Sequence, residues 1–244
     1  MPTLSDLAVI IPVAAQDKSW MELVHDLKFL PMDCEIIFVS PEVPIEAPRV
    51  ISGTLGSKRK IRWLKSAPGR AIQLNVGAQA TQKDYLWFLH ADSRLTPGSL
   101  AALEKTMHKN PHALYYFDLA FRPDDSKLMS INAAGVWFRS HVLKIPFGDQ
   151  GLCIFREIFE YLGGFSETVA YGEDHLLVWE ARRANVPVIG TGHAITTSAR
   201  KYEKNGWLST TLSHLYLTAK QALPESIHLV RSRWIRPPKT RKNH

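Results

Sequence analysis

At 244 residues and 45 % hydrophobic content, the chain is long enough for one α/β domain with small appendages and a sizeable core. No run approaches the ~18 uninterrupted apolar residues of a membrane span, and the N-terminus lacks a basic segment, apolar run and small-residue cleavage site, so a cytoplasmic protein is expected. The net charge of +7 comes largely from the tail: Arg231, Arg233, Arg236, Lys239, Arg241 and Lys242 follow Ser226 with no acidic residue among them, which leaves a body close to neutral.

Residues 7–13 form a β-branched run broken by Pro12, as in a first parallel strand. Apolar residues then recur at Trp20, Leu23, Val24 and Leu27, the 3.6-type spacing of an amphipathic helix. A second buried strand at 35–39 completes a βαβ unit with a right-handed crossover. Residues 40–58, rich in Pro and Gly, are expected to be loop with a short strand near Val50-Ile51, and residues 60–64 another strand. A helix enters through Pro68-Gly69 and runs to Ala80. Gly77 in its interior costs ~1 kcal/mol against Ala and points to a close approach. Arg70, in its first turn, opposes the helix dipole and calls for a phosphate or an acidic partner, unless it is simply solvated.

The wholly apolar stretch 85–89 predicts a strand buried on both faces, ending abruptly at His90-Ala91-Asp92-Ser93. A carboxylate delivered there lies where open α/β sheets bind ligands, although Asp-Ser before a helix also suits a cap. A helix at 99–109 and an aromatic strand at 114–121 follow. The helix at 127–143 is apolar over much of its circumference; core is expected, a contact surface being the alternative. Phe147-Gly148-Asp149-Gln150-Gly151 breaks the pattern before a strand at 152–155 and a short helix at 156–162. Glu173-Asp174 opens a helix running to Ala184, two carboxylates well matched to its dipole. Short strands at 186–189 and 194–197 and an amphipathic helix at 205–223 close the body. Cys34 and Cys153 each sit in apolar surroundings without a partner motif and read as core thiols.

This alternation predicts one open, doubly wound, mostly parallel sheet with helices on both faces, residues 1–223, and a basic, flexible tail at 224–244. Arg70, Asp92, Asp149-Gln150 and Glu173-Asp174 should collect at its carboxyl edge. The inventory suits nucleotide-sugar transfer, which needs a metal for the leaving diphosphate, a base for the acceptor hydroxyl and cations for the phosphates.

The order of motifs resembles family-2 glycosyltransferases of the GT-A, Rossmann-like fold, most closely a small, soluble bacterial subgroup. The residues that carry it are Gly69-Arg70-Ala71-Ile72-Gln73-Leu74-Asn75-Val76-Gly77-Ala78, then Leu89-His90-Ala91-Asp92-Ser93-Arg94-Leu95. Gly148-Asp149-Gln150, Leu162-Gly163-Gly164-Phe165, Glu173-Asp174 and Thr197-Ser198-Ala199-Arg200 continue it across roughly residues 5–220. The resemblance implies a metal-dependent, inverting hexosyltransferase-like enzyme. Asp92 would bind Mg²⁺ or Mn²⁺ at the diphosphate, and His90 would reach the ribose or metal, or simply pack. Arg70 and Asn75 would face the nucleotide, Asp149 and Gln150 would border the sugar and acceptor pocket, and Arg200 would contact the diphosphate. Asp174 would be the general base, with Glu173 orienting it or the acceptor. The expected partners are a nucleotide-sugar donor, with a UDP-sugar favoured, and an acceptor of unspecified identity.

Two stretches depart from the family pattern. Where relatives carry acidic groups for the base and ribose, this chain reads Ala14-Ala15-Gln16-Asp17 and Ser40-Pro41-Glu42-Val43. One alternative is therefore an inactive or repurposed binding protein acting through its tail, where Trp234 and Ile235 between cations suit anionic lipid headgroups at the inner membrane face. No stacking platform or recognition helix is legible for nucleic acid, which is not expected as a partner. A nucleotidyltransferase is the other alternative, but residues 13–17 lack the glycine-rich, basic loop it needs for a triphosphate.

Overall fold

Why β1 (Leu7–Pro12) reads as an unbroken apolar run is clear from its surroundings. Leu7, Val9 and Ile11 face one core layer and Ala8 and Ile10 the other, and all five are buried. The computed structural model describes residues 1–56, 58–121, 129–169 and 172–197. Its other strands are β2 (Glu35–Ser40), β3 (Ile61–Lys65), β4 (Tyr85–Phe88), β5 (Leu114–Phe121), β6 (Cys153–Phe155) and β7 (Val188–Thr197). They form one seven-stranded sheet in the order β3-β2-β1-β4-β6-β5-β7. Only β6 runs antiparallel to its neighbours, β4 and β5, so the sheet is mixed and mostly parallel, as expected.

Helices cover both faces. On one lie α1 (Trp20–Leu27), α2 (Ala47–Leu55) and α4 (Pro97–Lys109); on the other α3 (Arg70–Gln79), α6 (Arg156–Tyr161) and α7 (Glu173–Arg183). Capping and packing explain their limits. Thr96 accepts from the Ser99 amide while Ser99 accepts from the Thr96 amide, a reciprocal box that starts α4 just ahead of Pro97. Asp17 accepts from the backbone and hydroxyl of Ser19 ahead of α1. A Cβ on Gly77 would collide with Ile10 of β1 and press on Val39 of β2, the close approach its place in α3 predicts. Cys34 and Cys153 are free and buried, and burial pushes the Cys34 thiol up to about 12.

The structure corrects the reading of residues 40–58. Val50 and Ile51 lie in α2, not in a strand, because Ala47, Val50, Ile51 and Leu55 together line the face that meets the core. Pro48 sits in the first helical turn, where its missing N–H is harmless. The two short strands expected at 186–189 and 194–197 are one strand, β7, whose register against β5 shifts between Tyr116 and Asp118. The third difference is α5 (Met129–His141), whose Trp137 and Phe138 are exposed, not core. The helix expected at 205–223, the domain boundary at residue 223 and the basic tail lie outside the described residues.

An ion pair between half-exposed Arg94 and buried Asp26 fixes the turn after β4. Arg94 Nε and Nη2 donate to Asp26 Oδ2 and Oδ1 at 2.6 and 3.0 Å, and the Leu95 amide donates to the same Oδ2 at 3.0 Å. Arg94 also pairs its backbone with Thr196 of β7. Three elements are thereby tied at the place where His90 and Asp92 leave the sheet. Asp26→Ala removes two hydrogen bonds from the Arg94 guanidinium, which keeps Glu22, and strands the Leu95 amide; it is expected to cost about 2 kcal/mol in urea denaturation, the scale of hydrogen bonds to a charged group.

Candidate functional site

The carboxyl edge of the sheet gathers the first turns of two helices and two loops. Arg70 opens α3 directly after the loop from β3, and Glu173 and Asp174 open α7. Between them lies Gly148-Asp149-Gln150, a single 3₁₀ turn that precedes β6 and so reaches the same edge from the opposite direction. His90 and Asp92 follow β4.

Arg70 joins these pieces. Its Nη1 lies 2.9 Å from Glu173 Oε1 and 3.7 Å from Asp174 Oδ2, and its Nη2 donates to His90 Nε2. A guanidinium only donates, so in this contact His90 Nε2 is the acceptor. The unfavourable cation in the first turn of α3 is thus compensated by the acidic first turn of α7. Of the partners that its position demanded, the structure supplies the acidic one.

Asp174 is almost fully enclosed. Burial raises the cost of ionising it, but Arg70 and two backbone amides overcome that cost and hold its carboxyl below the ordinary carboxylate range. The amides are those of Gly148, on Oδ2, and His175, on Oδ1 at 2.8 Å. The close approach at Gly148 requires the absence of a side chain, since a Cβ there would run into both Arg70 Nη2 and Asp174 Oδ2. His175 is itself fixed by Trp179, whose Nε1 donates to His175 Nε2 at 2.9 Å, and by the edge of Phe147.

Asp92 is half-buried in the turn after β4. Among the described residues, no three His, Cys, Asp or Glu side chains gather to enclose a metal on their own. One hard carboxylate at an accessible edge is nevertheless a fitting donor for Mg²⁺ or Mn²⁺, because such ions take one or two carboxylates and complete their shell with phosphate oxygens and water.

Two of the expected site residues are committed elsewhere. Gln150 is fully buried: its Oε1 accepts from Ser140, Arg139 and the Phe147 amide at 2.8 to 3.1 Å, and its Nε2 donates to Phe117 O at 2.8 Å. It ties the 3₁₀ turn to α5 and β5. Asn75 brackets the backbone of Phe165, donating to its carbonyl at 2.9 Å and accepting from its amide at 3.0 Å. It stands at the wall of a separate cleft of about 430 Å³ shared with Leu86, Phe159, Glu160, Gly164 and Glu167. Asp149 is half-buried in the 3₁₀ turn, and Arg200 lies outside the described residues.

A profile of glycosyl transferase family 2 matches residues 8–166, the span holding all but β7 and α7 of the described sheet and its helices. The chain belongs to glycosyl transferase family 2. Solved structures agree on the GT-A fold. A mannosyltransferase from Pyrobaculum calidifontis, in complex with GDP-Man and Mn²⁺, superposes with a TM-score of 0.69 at 17 % identity over 96 % of this chain and 71 % of its own. TarS from S. aureus superposes at 0.60 and 12 % identity, and its 1–349 segment in complex with UDP at 0.63 and 13 %. Each covers 79 % of this chain, which spans 36 % of the TarS chain and 60 % of that segment. No curated protein matches the sequence.

Reading the sequence as a family-2 chain left Gln73, Arg94 and Gly148 without roles, although all three stand inside its quoted motifs. Gln73 donates from Nε2 to Val13 O and Val39 O at 2.8 and 2.9 Å, lacing together the ends of β1 and β2. Its place on the inner side of α3, one turn after Arg70, was the available signal. Gly148→Ala is expected to lower stability by about 1–3 kcal/mol, an overpacking cost seen as a lower denaturation midpoint. The depressed Asp174 value has its own signature. Stability from this group is complete above its unfolded-state value of 3.8 and is lost as pH falls through the lower folded value. The stability difference between wild type and Asp174→Asn, followed by urea denaturation, should therefore hold at neutral pH and narrow below about pH 4.

Proposed function

We propose that the chain transfers a sugar, with inversion, from a nucleotide-diphosphate sugar to a hydroxyl acceptor, with Asp174 as the general base. The observation that carries this reading is the geometry at Asp174: a carboxylate at the carboxyl edge of the sheet, fixed by Arg70 and two backbone amides, in a chain of glycosyl transferase family 2. A carboxylate offers about four acceptor sites, and the Gly148, His175 and Arg70 contacts leave Oδ1 a lone pair for an acceptor hydroxyl. In the step itself the acceptor O–H proton passes to Asp174 as the acceptor oxygen bonds the anomeric carbon. The bond from that carbon to the diphosphate oxygen breaks on the opposite side, and the nucleoside diphosphate leaves.

Glu173 and Arg70 position the base. Their ion pair holds the first turn of α7 against that of α3, so the carboxylate does not have to be ordered at the moment of reaction. Asp92 would hold Mg²⁺ or Mn²⁺, which when bound would neutralise charge building on the leaving diphosphate. The donor is assigned as a nucleotide sugar with UDP-sugars tested first; the TarS segment was solved with UDP and the mannosyltransferase with GDP-Man, which supports the class. The tail from residue 224 is assigned to peripheral contact with anionic lipid headgroups.

Thermal unfolding with and without Mn²⁺, against UDP, GDP, CDP and dTDP, tests the donor site. A ligand that binds the folded state adds ~2.7 kcal/mol at a hundredfold excess over its dissociation constant. One nucleotide should raise the midpoint only when Mn²⁺ is present, and Asp92→Asn should lose that shift. No shift for any pair would favour a repurposed binding protein. Asp174→Asn should keep the shift and lower kcat by about 10²–10⁴-fold, the usual worth of a positioned base.

A further inference from the structure

We infer that the outer face of α5 and the residues that follow it form a docking ridge for an anionic lipid surface. Trp137, Phe138, Val142 and Leu143 are 51 %, 53 %, 54 % and 46 % exposed, four large apolar side chains within seven positions. Other exposed apolar residues of the described chain, such as Phe29, Met32, Ile45 and Tyr161, occur singly or in close pairs. Single exposures need no explanation; a contiguous apolar patch marks an interaction surface.

The ridge is held in place, not left to collapse inward. On the inner side of α5, Ser140 and Arg139 both donate to Gln150, and Tyr116 Oη donates to Ser140 O at 2.9 Å. The Arg139 guanidinium also lies over the Phe147 ring. These contacts commit that side of the helix to the 3₁₀ turn and β5 and turn Trp137 and Phe138 outward. The Trp137 indole is stacked on His141 at 4.7 Å between ring centres, and His141 Nε2 lies 3.4 Å from Asp118. An exposed Trp is thus kept in one orientation.

Charge selects the occupant. No acidic residue occurs between Asp125 and Asp149, and Lys144 is exposed at the end of the ridge. A second ridge offers Lys144 no acidic partner from its own residues 126–148, whereas an anionic bilayer does. Aromatic and aliphatic side chains beside a lysine are the pattern that settles at the headgroup boundary. The inference is separate from the tail's contact and from sugar transfer, so either can fail without the other. Its consequence is local: the ridge and the turn carrying Gly148 share α5 and Gln150, so the lipid surface would lie beside the acceptor edge.

The test is co-sedimentation of the full chain with phosphatidylglycerol-containing vesicles and with vesicles of phosphatidylcholine alone. Wild type should bind the anionic vesicles preferentially. Trp137→Ser with Phe138→Ser should weaken partitioning by about tenfold or more with the tail intact and the unfolding midpoint unchanged. If that double variant has a lowered midpoint, Val142→Ser with Leu143→Ser replaces it and should weaken partitioning likewise. In anionic vesicles with brominated acyl chains, wild-type tryptophan fluorescence should be quenched and the quenching should fall in Trp137→Phe. Unchanged binding in the ridge variant, binding lost only on deletion of residues 226–244, or equal binding to both vesicle types would overturn the inference. So would a dimer of wild type that becomes monomeric in the variant by light scattering, which would make the ridge a contact between copies.

Discussion

A carboxylate buried as deeply as Asp174 stays charged only where fixed positive groups surround it, and Arg70 is the largest such charge acting on it, together with the Gly148 and His175 amides. That requirement constrains much of the surrounding fold. The first turn of α3 must face the first turn of α7, which brings together two helices of one layer, α3 packed on β1 and β2 and α7 on β7. The segment before β6 must bring its amide within reach of Asp174, which is possible only where residue 148 carries no side chain. The antiparallel direction of β6 serves the same end, since only a reversed strand begins at the edge where the parallel strands finish.

Behind this contact stand three braces, each a buried polar group that satisfies several partners. Gln73 joins the ends of β1 and β2, Asp26 locks Arg94 beyond β4, and Gln150 anchors the 3₁₀ turn to β5 and α5. None needs to touch a ligand to matter. A base displaced by 1 Å loses much of its advantage, and loops are displaced more readily than strands. The braces place loop residues with the precision of the sheet.

The parts of the fold that were legible in sequence are those governed by local pattern. The runs at β1, β2 and β4 and the 3.6 spacing of α1 announce their burial directly, and Glu173-Asp174 declares a helix start. What was not legible depended on distant partners. Val50-Ile51 look like a strand until the core places Ala47 and Leu55 on the same side. The apolar circumference of α5 looks like core because sequence cannot show that Gln150 takes its polar side inward and leaves Trp137 and Phe138 outside. The roles of Gln150 and Asn75 were obscured for the same reason: an amide near a site reads as a ligand contact, and only the fold reveals that Phe117 and Phe165 already use it. Arg70 is the instructive middle case, since its conflict with the helix dipole signalled a partner without naming it.

The same accounting bears on how a nucleotide base could be read. The acidic groups missing from the two departing stretches are not replaced by their polar neighbours in this state of the chain. Ser40 is buried, accepting from Trp63 Nε1 at 2.6 Å and donating to Glu42 O at 2.5 Å. Asp17 is engaged with both the backbone and the hydroxyl of Ser19. Gln73 takes up carbonyl positions at Val13 and Val39 that close the strand ends. Discrimination by the side chains at these positions would require breaking internal bonds worth about 1 kcal/mol each, so the edge of β1 and β2 is built to be rigid more than to be selective. For the proposed donor, selectivity would then fall to groups exposed along that edge, and Glu42 is an exposed acidic residue there.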